Sequence, residues 1–371
     1  MGKEEIVLLG CGDIGPLHEP METYSTLAGH TLATGDVRFG QCERVYSDRG
    51  PRQLPTGMSK CLKPHMISVF SHCGFNVVSL ASNLTMDSGA DALLDTIELF
   101  QKKGIQAIGA GRNLQEARRP AIVEQNGVRV AILAYCSVLK EGDAAGPRKA
   151  GIAPLRVHTY YEPTQYQPGV PPRVVTIPYL EDLEGMVEDI VEAKKTAHAV
   201  VISLHWGIHH IPRMIAEYQP IVAKAAFKAG ADLILGHHAH VPKAVEVRSG
   251  KVCFYSLGNF IFSTVSAQKP GWAESFAKQY GQYGVFPDPD EYPRLSMGPD
   301  SKRSFIAKAV FSREGVKKAS FLPVLIDKLS RPEVLSHGDP RFDDALKFMD
   351  WVSEGYDHKF TVEGDEVVVT S

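Results

Sequence analysis

The sequence predicts an α/β fold, in which short buried strands are layered with amphipathic helices. Through the first two thirds of the chain, short apolar runs alternate with segments whose apolar residues recur at helical spacing. The chain has 371 residues, of which 44% are hydrophobic and 22% charged, so it is long enough to bury a large core. These observations favour α/β layering over an all-α or an all-β fold.

The alternation predicts the elements in order. Strands are predicted at 6–9, 77–80, 107–109, 128–134, 200–204, 233–235 and 252–255. Helices are predicted at about 63–73, 90–103, 180–196 and 214–229. The helix at 90–103 shows the clearest apolar periodicity, and Gly104 ends it as a C-cap. Beyond residue 303 we expect strands at 305–311 and 319–325, a helix near 341–354 and a last strand near 366–370.

Two stretches, 141–178 and 264–303, interrupt this alternation and are rich in Gly, Pro and aromatic residues. Loops this long are usually functional lids or disordered segments, and their aromatic content favours ordered lids. Their aromatic side chains would cover an apolar or aromatic small molecule or pack the loops onto the domain. We therefore expect one domain over 1–330 with lid-like insertions at these two stretches, and a C-terminal extension, 331–371, packed on the same domain.

Charge and cysteine content exclude several classes of protein. The 40 basic and 43 acidic residues give a net charge of −3, so no basic field would attract nucleic acid. The six cysteines show no CxxC spacing, as in a reduced intracellular protein. The apolar run at 6–9 is too short for a signal peptide, and no stretch reaches the length of a membrane span. We expect a cytoplasmic protein that binds neither nucleic acid nor membrane, and homo-oligomerisation stays open.

Histidines are concentrated in one part of the chain. Six of the 14 fall within 205–240, where an even distribution would place roughly 1.4. Several polar residues also follow directly after predicted strands, where open α/β sheets build their sites. These residues are Asp13, Asn83, His205, His237, His238, His240 and Asn259.

Carboxylate, amide and imidazole groups delivered to one sheet edge predict a metal site. The spacing His238-x-His240 lets two imidazoles approach one or two ions, and carboxylates supply negative charge. Such a donor mixture suits Mn, Fe or Zn better than Ca. Taken alone, Asp13 is equally a turn or helix-cap residue, and Asn83 is more typical of a turn. His209 and His210 would otherwise be exposed loop histidines.

Several short motifs of the sequence resemble those of the CapA family. These are bacterial capsule or poly-γ-glutamate synthesis proteins in the calcineurin-like metallophosphoesterase superfamily. The resemblance runs in order from about residue 6 to 263. It is strongest in Gly-His-His-Ala-His at 236–240 and Ser-Leu-Gly-Asn-Phe at 256–260. Other matching pieces are Gly-Asp-Ile at 12–14, Ser-Leu-His-Trp-Gly at 203–207 and Gly-Ala-Gly-Arg-Asn-Leu at 109–114.

The resemblance implies a four-layer α/β/β/α sandwich with a dinuclear metal centre at one edge. The implied metal ligands are Asp13, Glu43, Asn83, His205, His238 and His240. Glu43 is the weakest match, because only the glutamate survives of the family's Asn-Leu-Glu motif, written here Gln-Cys-Glu. The cofactor is then one or two divalent transition metal ions.

One departure from the family pattern bears on the reaction. Leu84 stands where the family usually has a histidine after asparagine, and that histidine assists phosphoester cleavage in related enzymes. Losing a general acid typically costs about two to four orders of magnitude in rate, so phosphoester hydrolysis is in doubt. We hypothesise that His209 or His210 replaces this acid/base group, with His237 as a further acid/base or supporting residue.

These observations predict a metal-dependent hydrolase or lyase acting on a small anionic substrate. The substrate would be a carboxylate or a phosphate, and aromatic compounds of either kind are included. The metal would lower the pKa of water and polarise a substrate oxygen. Arg112, in the loop after the strand at 107–109, would clamp an anion or else form a surface salt bridge, and Asn259 is a second candidate for substrate binding. The alternative is an accessory protein of capsule or poly-γ-glutamate synthesis. A metal-free binding module is disfavoured by the retained ligand set.

Overall fold

Two β-sheets pack face to face in the computed structural model, which describes residues 4–49, 61–264 and 271–371. The strands are β1 (Ile6–Gly15), β2 (Val37–Cys42), β3 (Val77–Ser79), β4 (Gln106–Ile108), β5 (Ala110–Gly111), β6 (Ala121–Gln125), β7 (Val128–Cys136), β8 (Gly151–Ile152), β9 (Val157–Glu162), β10 (Arg173–Pro178), β11 (Ala199–His205), β12 (Leu233–His237), β13 (Val245–Arg248), β14 (Lys251–Phe254), β15 (Asn259–Phe262), β16 (Arg303–Ser312), β17 (Gly315–Ile326), β18 (Pro332–Val334), β19 (Lys359–Glu363) and β20 (Glu366–Thr370). The α-helices are α1 (Gly29–Leu32), α2 (Ser68–His72), α3 (Gly89–Lys102), α4 (Leu114–Ala117), α5 (Leu180–Lys194), α6 (Tyr218–Ala229), α7 (Trp272–Tyr280) and α8 (Pro340–Ser353).

The first sheet has ten strands in the order β19-β20-β17-β16-β1-β2-β3-β4, with β15 also paired to β1 and β18 to β17. The second sheet has the order β13-β14-β12-β11-β7-β6. Strands β1, β2, β3, β4 and β15 run parallel in the first sheet, as do β7, β11, β12 and β14 in the second. Most of the polar residues singled out from the sequence are found at the carboxyl ends of these parallel strands, and Asn259 begins β15 opposite Asp13.

Three hydrophobic clusters define four layers. The central cluster joins the facing sides of the two sheets and includes Phe39 and Ile132. A second cluster packs the outer side of the first sheet against α2 and α3, with Phe70 and Phe100 at its centre. A third packs the outer side of the second sheet against α5 and α6, through residues such as Met186. This is the α/β/β/α sandwich that the resemblance implied.

The C-terminal segment continues the first sheet. β20 pairs with β17, with Phe321 opposite Val367, and β19 pairs with β20. Helix α8 packs on β13 and β17, and the Ser353 hydroxyl accepts a hydrogen bond from the Val245 backbone N–H at 3.0 Å. Residues 331–371 therefore contact both sheets.

The two aromatic stretches differ in structure. The first, predicted as a long loop, contains the two-stranded hairpin β9–β10, which exposes Tyr160, Tyr161 and Tyr166 to solvent. The second contains helix α7, and its residues 265–270 lie outside the described part of the chain. Only the second stretch contacts the histidine cluster, as described below. No described helix has both the length and the apolar character needed to cross a membrane.

The strand predictions fell short mainly at β1 and at β2. β1 continues through Gly10, Gly12 and Asp13, a stretch whose glycines are typical of a turn. A Cβ on Gly12 would lie 2.0 Å from the carbonyl oxygen of Gly258, so glycine here allows β1 and β15 to approach closely. β2, β6 and β13 were not predicted, although Val-Glu-Val-Arg in β13 and Val-Arg-Phe in β2 alternate as in half-buried strands.

Candidate metal centre

The site lies where the carboxyl ends of both sheets meet. β1 carries Asp13, Glu43 follows β2 directly, and His205 is the last residue of β11. His237 ends β12, and the turn after it carries His238 and His240. All five side chains of the predicted carboxylate and histidine ligands are buried.

Asp13 and Glu43 are held in place by backbone hydrogen bonds. The Asp13 N–H donates to the Gly258 carbonyl oxygen at 3.0 Å, and the Glu43 N–H donates to the Ile14 carbonyl oxygen at 2.9 Å. The register of β1 shifts around Asp13 against both β2 and β15. Such irregularities re-aim side chains, so Asp13 acts from within a strand rather than from the loop predicted for it.

One group of donors brings together Glu43, His205 and His238. His205 Nε2 lies 3.2 Å from Glu43 Oε1 and 3.2 Å from His238 Nδ1. The amide oxygen of Asn83 lies 2.9 Å from the same His205 nitrogen. One donor atom from each of the three charged or imidazole residues lies within 4.8 Å of the others.

A second group brings together Asp13, Glu43 and His240. His240 Nδ1 lies 3.5 Å from Asp13 Oδ2, and His240 Nε2 lies 3.6 Å from Glu43 Oε2. These donors also lie within 4.8 Å of one another. Glu43 therefore belongs to both groups, with Oε1 facing His205 and Oε2 facing His240.

The donor atoms fit a cation because many of them lack a hydrogen-bond partner. Asp13 Oδ1, both carboxylate oxygens of Glu43 and His205 Nδ1 are buried without one. A buried carboxylate left in this way is costly unless a cation or a proton compensates it. Two carboxylates with imidazoles and an amide oxygen are a donor set typical of Mn, Fe or Zn. The residues present thus suit the divalent metals that we predicted.

Two loops that carry histidines of the site, one after β11 and one after β12, contain residues in an unusual backbone conformation. His210, His238 and His240 have φ values of 61°, 86° and 56°. This left-handed region costs a residue with a side chain about 1–3 kcal/mol, and such residues cluster at functional sites. The strain accompanies the placement of these rings beside the carboxylates.

Burial dominates the protonation behaviour of the centre. Burial raises the pKa of Asp13 well above its usual range, although the His238 N–H opposes this shift. Burial and then the charge of Asp13 raise the pKa of Glu43, opposed by Arg44. Burial, followed by the neighbouring histidines, lowers the pKa of His205 well below its usual range. The histidines are therefore neutral near pH 7, which leaves lone pairs for a cation.

The predicted acid/base residues occupy three different positions. The His209 ring is partly exposed, and its centroid lies 3.8 Å from that of His238. His210 is buried, and its centroid lies 4.8 Å from that of His209. His237 is fully buried, with Nδ1 3.5 Å from Asp13 Oδ1 and its ring against Phe39. Only His209 combines contact with the cluster and exposure to solvent.

The structure separates the two predicted substrate-binding residues, since Asn259 lies at the metal centre and Arg112 lies away from it. The Arg112 side chain is 65% exposed, pairs with Glu116 at 3.6 Å and lines a separate cleft. Asn259 is buried, and its amide oxygen lies 2.8 Å from His240 Nδ1. Its amide nitrogen donates to the carbonyl oxygens of His240 and Ser301, both at 3.0 Å. The amide of Asn259 thus orients His240, and its binding to a substrate stays a prediction.

Sequence reasoning missed Phe276 and Arg44 beside the site, and it expected the aromatic residues of the 264–303 stretch, Tyr280 among them, to cover a small molecule or pack the loop. Phe276 and Tyr280 of α7 pack on His210, with centroid distances of 5.2 and 4.9 Å. Their i, i+4 spacing, continuing from Trp272, is a helical pattern that predicts this face. Arg44 is buried beside Glu43 and donates from Nη2 to the Ser263 carbonyl oxygen at 3.0 Å. Nothing in the local sequence distinguishes Arg44 from an exposed arginine.

Comparison with known families agrees with this geometry. The family model described as "Bacterial capsule synthesis protein PGA_cap" matches residues 17–264, well over half of the chain. The chain belongs to the PGA_cap family. The matched region contains Glu43, Asn83, Asn259 and all the histidines of the cluster, and this membership confirms the resemblance drawn from the sequence.

Two PGA_cap relatives are similar over part of their length. The PGA biosynthesis protein CapA of Bacillus subtilis is 32% identical over 218 residues, covering 58% of this chain and 49% of that protein. The capsule biosynthesis protein CapA of Bacillus anthracis is 30% identical over 225 residues, covering 60% and 47%. The chain thus matches about half the length of these relatives.

Solved structures show more distant likenesses. A calcineurin-like phosphoesterase YfkN from Bacillus subtilis has a TM-score of 0.40 at 10% identity, covering 94% of this chain and 99% of that one. A putative 5'-nucleotidase from Staphylococcus aureus has a TM-score of 0.42 at 12% identity, covering 94% and 58%. At such similarity the likeness does not extend to an activity.

Proposed function

We propose that this PGA_cap protein is a metal-dependent enzyme that cleaves a small anionic substrate, carrying a carboxylate or a phosphate, as a hydrolase or a lyase. One observation carries the proposal: two buried groups of donors share the carboxylate of Glu43, which presents a different oxygen to each. A purely structural polar cluster would pair these atoms with hydrogen-bond donors. Here both oxygens of Glu43 lack such a partner.

The residues that would hold the ions divide between two positions. Glu43, His205 and His238 would hold one ion, with Asn83 beside them, and Asp13, Glu43 and His240 would hold the other. When bound, divalent transition metals supply positive charge that polarises a substrate oxygen and favours ionisation of water. Two ions held at these positions would attract an anionic substrate locally. Such local attraction is needed because the net charge of −3 provides no general attraction for an anion.

Two of the chain's own residues have roles that support turnover. His209 lies against His238 and is partly exposed, so its ring is placed to exchange a proton with a substrate at the cluster. Asn259 holds His240 through its amide oxygen and thereby fixes the orientation of that ring.

The class of reaction depends on Leu84. This side chain follows Asn83 directly and carries no group that transfers a proton. A phosphoester leaving group would therefore lack an acid at this position, which favours substrates whose leaving group needs none there. This argument supports metal-assisted cleavage of a carboxylate-bearing compound over phosphoester hydrolysis.

The biological setting that we propose is capsule or poly-γ-glutamate synthesis, in an accessory role. The support is the family match over 17–264 together with the names of the two Bacillus relatives. An acidic polymer or its fragments would supply the anionic substrate that the centre suits. This setting and the enzymatic activity are compatible, and each can be tested by itself.

Elemental analysis tests the metal centre. Protein purified without chelator or nickel affinity should contain about two ions of Mn, Fe or Zn per chain, as two-ion sites require. A metal-free preparation that also fails to take up these ions on dialysis would overturn the proposal.

A substrate panel tests the activity. Phosphomonoesters, phosphodiesters, γ-glutamyl amides and aromatic carboxylates would be incubated with the metal-loaded protein, and products measured by mass spectrometry. For any substrate found, His209→Ala should slow turnover by about 10²-fold or more while the metal content is kept. The exposed His72→Ala serves as the control. A loaded protein inert towards the whole panel would leave the accessory role without an enzymatic one.

A further inference from the structure

A second concave surface lies at the open edge of the first sheet. This cleft has a volume of about 400 Å³ between α3 and α4, and its floor includes Leu94, Ile97 and Ile105. None of the metal-binding candidates lines it. The edge cleft, as we call it, is therefore a separate surface from the metal centre.

One wall of the edge cleft is the exposed edge of a β-strand. β4 is the last strand of the first sheet and pairs only with β3 in the described sheet. The Gln106 N–H donates to the Asn76 carbonyl oxygen at 3.0 Å, and the Ile108 carbonyl oxygen accepts from the Leu80 N–H at 2.8 Å. Successive residues of a parallel strand face alternate sides. The N–H and C=O of Ala107 consequently face away from β3, where Ala107 lines the cleft.

The opposite wall carries positive charge. Arg112 and Arg119 both line the cleft and are both exposed. Among the described residues, Arg119 makes no ion pair and no side-chain hydrogen bond. Arg112 lies 3.6 Å from Glu116, which is a long distance for an ion pair. The cleft therefore holds two guanidinium groups against one carboxylate, in a chain that is acidic as a whole.

The single carboxylate in the edge cleft is already used by the backbone. Glu116 accepts a hydrogen bond from the Arg112 backbone N–H at 3.1 Å, and its own N–H donates to the Asn113 side chain at 2.9 Å. This arrangement resembles a capping box at the start of α4, except that Glu116 accepts from the residue before the N-cap Asn113. Glu116 Oε2 also lies 3.6 Å from Nη1 of Arg112, and the remaining N–H groups of this exposed guanidinium can bind an incoming anion.

We propose that the edge cleft binds an extended, amide-linked chain that bears carboxylates. Two amide groups of the chain would pair with Ala107, one accepting from its N–H and the other donating to its C=O, as in strand addition to a sheet edge. Carboxylates of the chain would pair with Arg112 and Arg119, since guanidinium groups bind carboxylates in a bidentate manner. The choice of an acidic chain rests on the proposed role in capsule synthesis, and the edge cleft would hold it outside the metal centre.

Binding of fluorescein-labelled acidic oligomers tests this inference on the full chain. The probes are oligomers of eight γ-linked glutamates and of eight α-linked glutamates, and fluorescence anisotropy at two salt concentrations gives their dissociation constants. Arg112→Ala combined with Arg119→Ala should weaken binding by about tenfold or more, as loss of charge-assisted hydrogen bonds implies. The matched control is Lys224→Ala combined with Lys228→Ala, which removes two exposed charges from α6.

A third variant separates strand addition from simple attraction of charges. Ala107→Pro removes the N–H at the cleft, and proline is tolerated on an edge strand whose N–H faces outwards. We expect weaker binding with little change in salt dependence, and circular dichroism would verify that the variant folds. A preference for the γ-linked over the α-linked probe would identify the linkage that the edge fits.

Clear results would overturn the inference. These are absence of probe binding to the wild-type chain, equal loss in the arginine and lysine double variants, or unchanged binding in the arginine double variant. The arginine double variant separates the edge cleft from the metal centre, because Arg112 and Arg119 line the cleft and none of the metal-binding candidates does. If the metal centre fails its own test while the probes still bind the edge cleft, only the enzymatic proposal falls.

Discussion

Glu43 Oε1 lies 3.2 Å from Nε2 of His205, although Glu43 follows a strand of the first sheet and His205 ends a strand of the second. The other oxygen of Glu43 lies 3.6 Å from His240 Nε2. One carboxylate at the edge of the first sheet thus faces two histidines that the second sheet carries. The centre exists only where the two sheets meet, and neither sheet holds it alone.

The shared position of Glu43 predicts an unequal loss of metal among variants. Glu43→Gln should lose both ions, because the amide removes the charge that serves both positions, whereas His205→Ala should lose chiefly one. Metal content per chain, measured by plasma mass spectrometry, distinguishes the two variants. Glu162→Gln, an exposed residue of the β9–β10 hairpin, is the control. Equal metal content in the Glu43 and His205 variants would contradict a shared ligand.

Because Leu84 stands where an acid is missing, we expect a histidine at this position to increase phosphodiester hydrolysis. Leu84→His should raise hydrolysis of phosphodiesters by about 10²-fold, because it restores an acid next to Asn83. Initial rates with a chromogenic phosphodiester measure the change, at equal metal content. Leu84→Gln, which is polar but transfers no proton, should show no gain. If the histidine variant shows none either, the missing acid is not what limits this reaction.

We expect helix α7 to protect the His210 ring from reagents in solution. Phe276→Ala should expose the His210 ring, which the side chains of Phe276 and Tyr280 cover. The rate at which diethyl pyrocarbonate modifies His210, followed by peptide mass spectrometry, should rise several-fold. We expect a stability loss of about 2 kcal/mol, below the usual range for a core phenylalanine because α7 lies at the surface. Phe286→Ala, at a 55% exposed position, should change neither quantity.

We expect any side chain at position 12 to clash with the neighbouring backbone. Gly12→Ala should destabilise the chain by at least about 2 kcal/mol, because the new Cβ would lie 2.0 Å from the Gly258 carbonyl oxygen. The Asp13 hydrogen bond to the same carbonyl would be disturbed, so metal content should fall too. Urea unfolding measures the stability. Gly146→Ala is the control, since its nearest contact would be at 3.4 Å, and equal stability of the two variants would refute the close approach.

We expect the stability that Glu366 gives to the packing of the C-terminal strands to be lost in acid. Burial alone would raise the pKa of Glu366, but hydrogen bonds from Lys308, Lys318 and Ser320 outweigh it and lower the pKa to about 2. The unfolded value is about 4.3, so the stabilisation is present above this pH and is lost as the pH falls towards 2. Glu366→Gln should cost about 1 kcal/mol at pH 7, after allowance for solvent screening.

Thermal unfolding across pH checks this expectation. The difference in melting temperature between wild type and Glu366→Gln should be largest near pH 7. It should shrink as the pH falls below about 4.3, the pKa of a glutamate in the unfolded chain. Glu363→Gln, which removes a 56% exposed carboxylate bound to Lys318 only, should show a smaller difference. A difference that is constant with pH would show that the ion pairs do not contribute.

Much of the centre could be predicted from the sequence. Histidines at 205, 238 and 240 follow apolar runs, and the carboxyl ends of parallel strands share one sheet edge, so their meeting was predictable. Glu43 was a weaker prediction because its strand, β2, has an alternating polar pattern that local reasoning missed. Arg112 follows a strand as predicted, whereas Asn259 begins β15 instead of following a strand. Strand position alone does not tell that Asn259 reaches His240 while Arg112 lines a separate cleft.

The sequence by itself determined the alternation of strands and helices, the edge at which the polar residues gather and the family to which the chain belongs. These follow from local periodicity and short motifs, which act within one element. The tertiary structure alone decided that Glu43 serves two donor groups and that α7, and not the exposed hairpin, covers the histidines. Such pairings depend on contacts between residues far apart in the chain, where packing of the two sheets and not local pattern sets the distance.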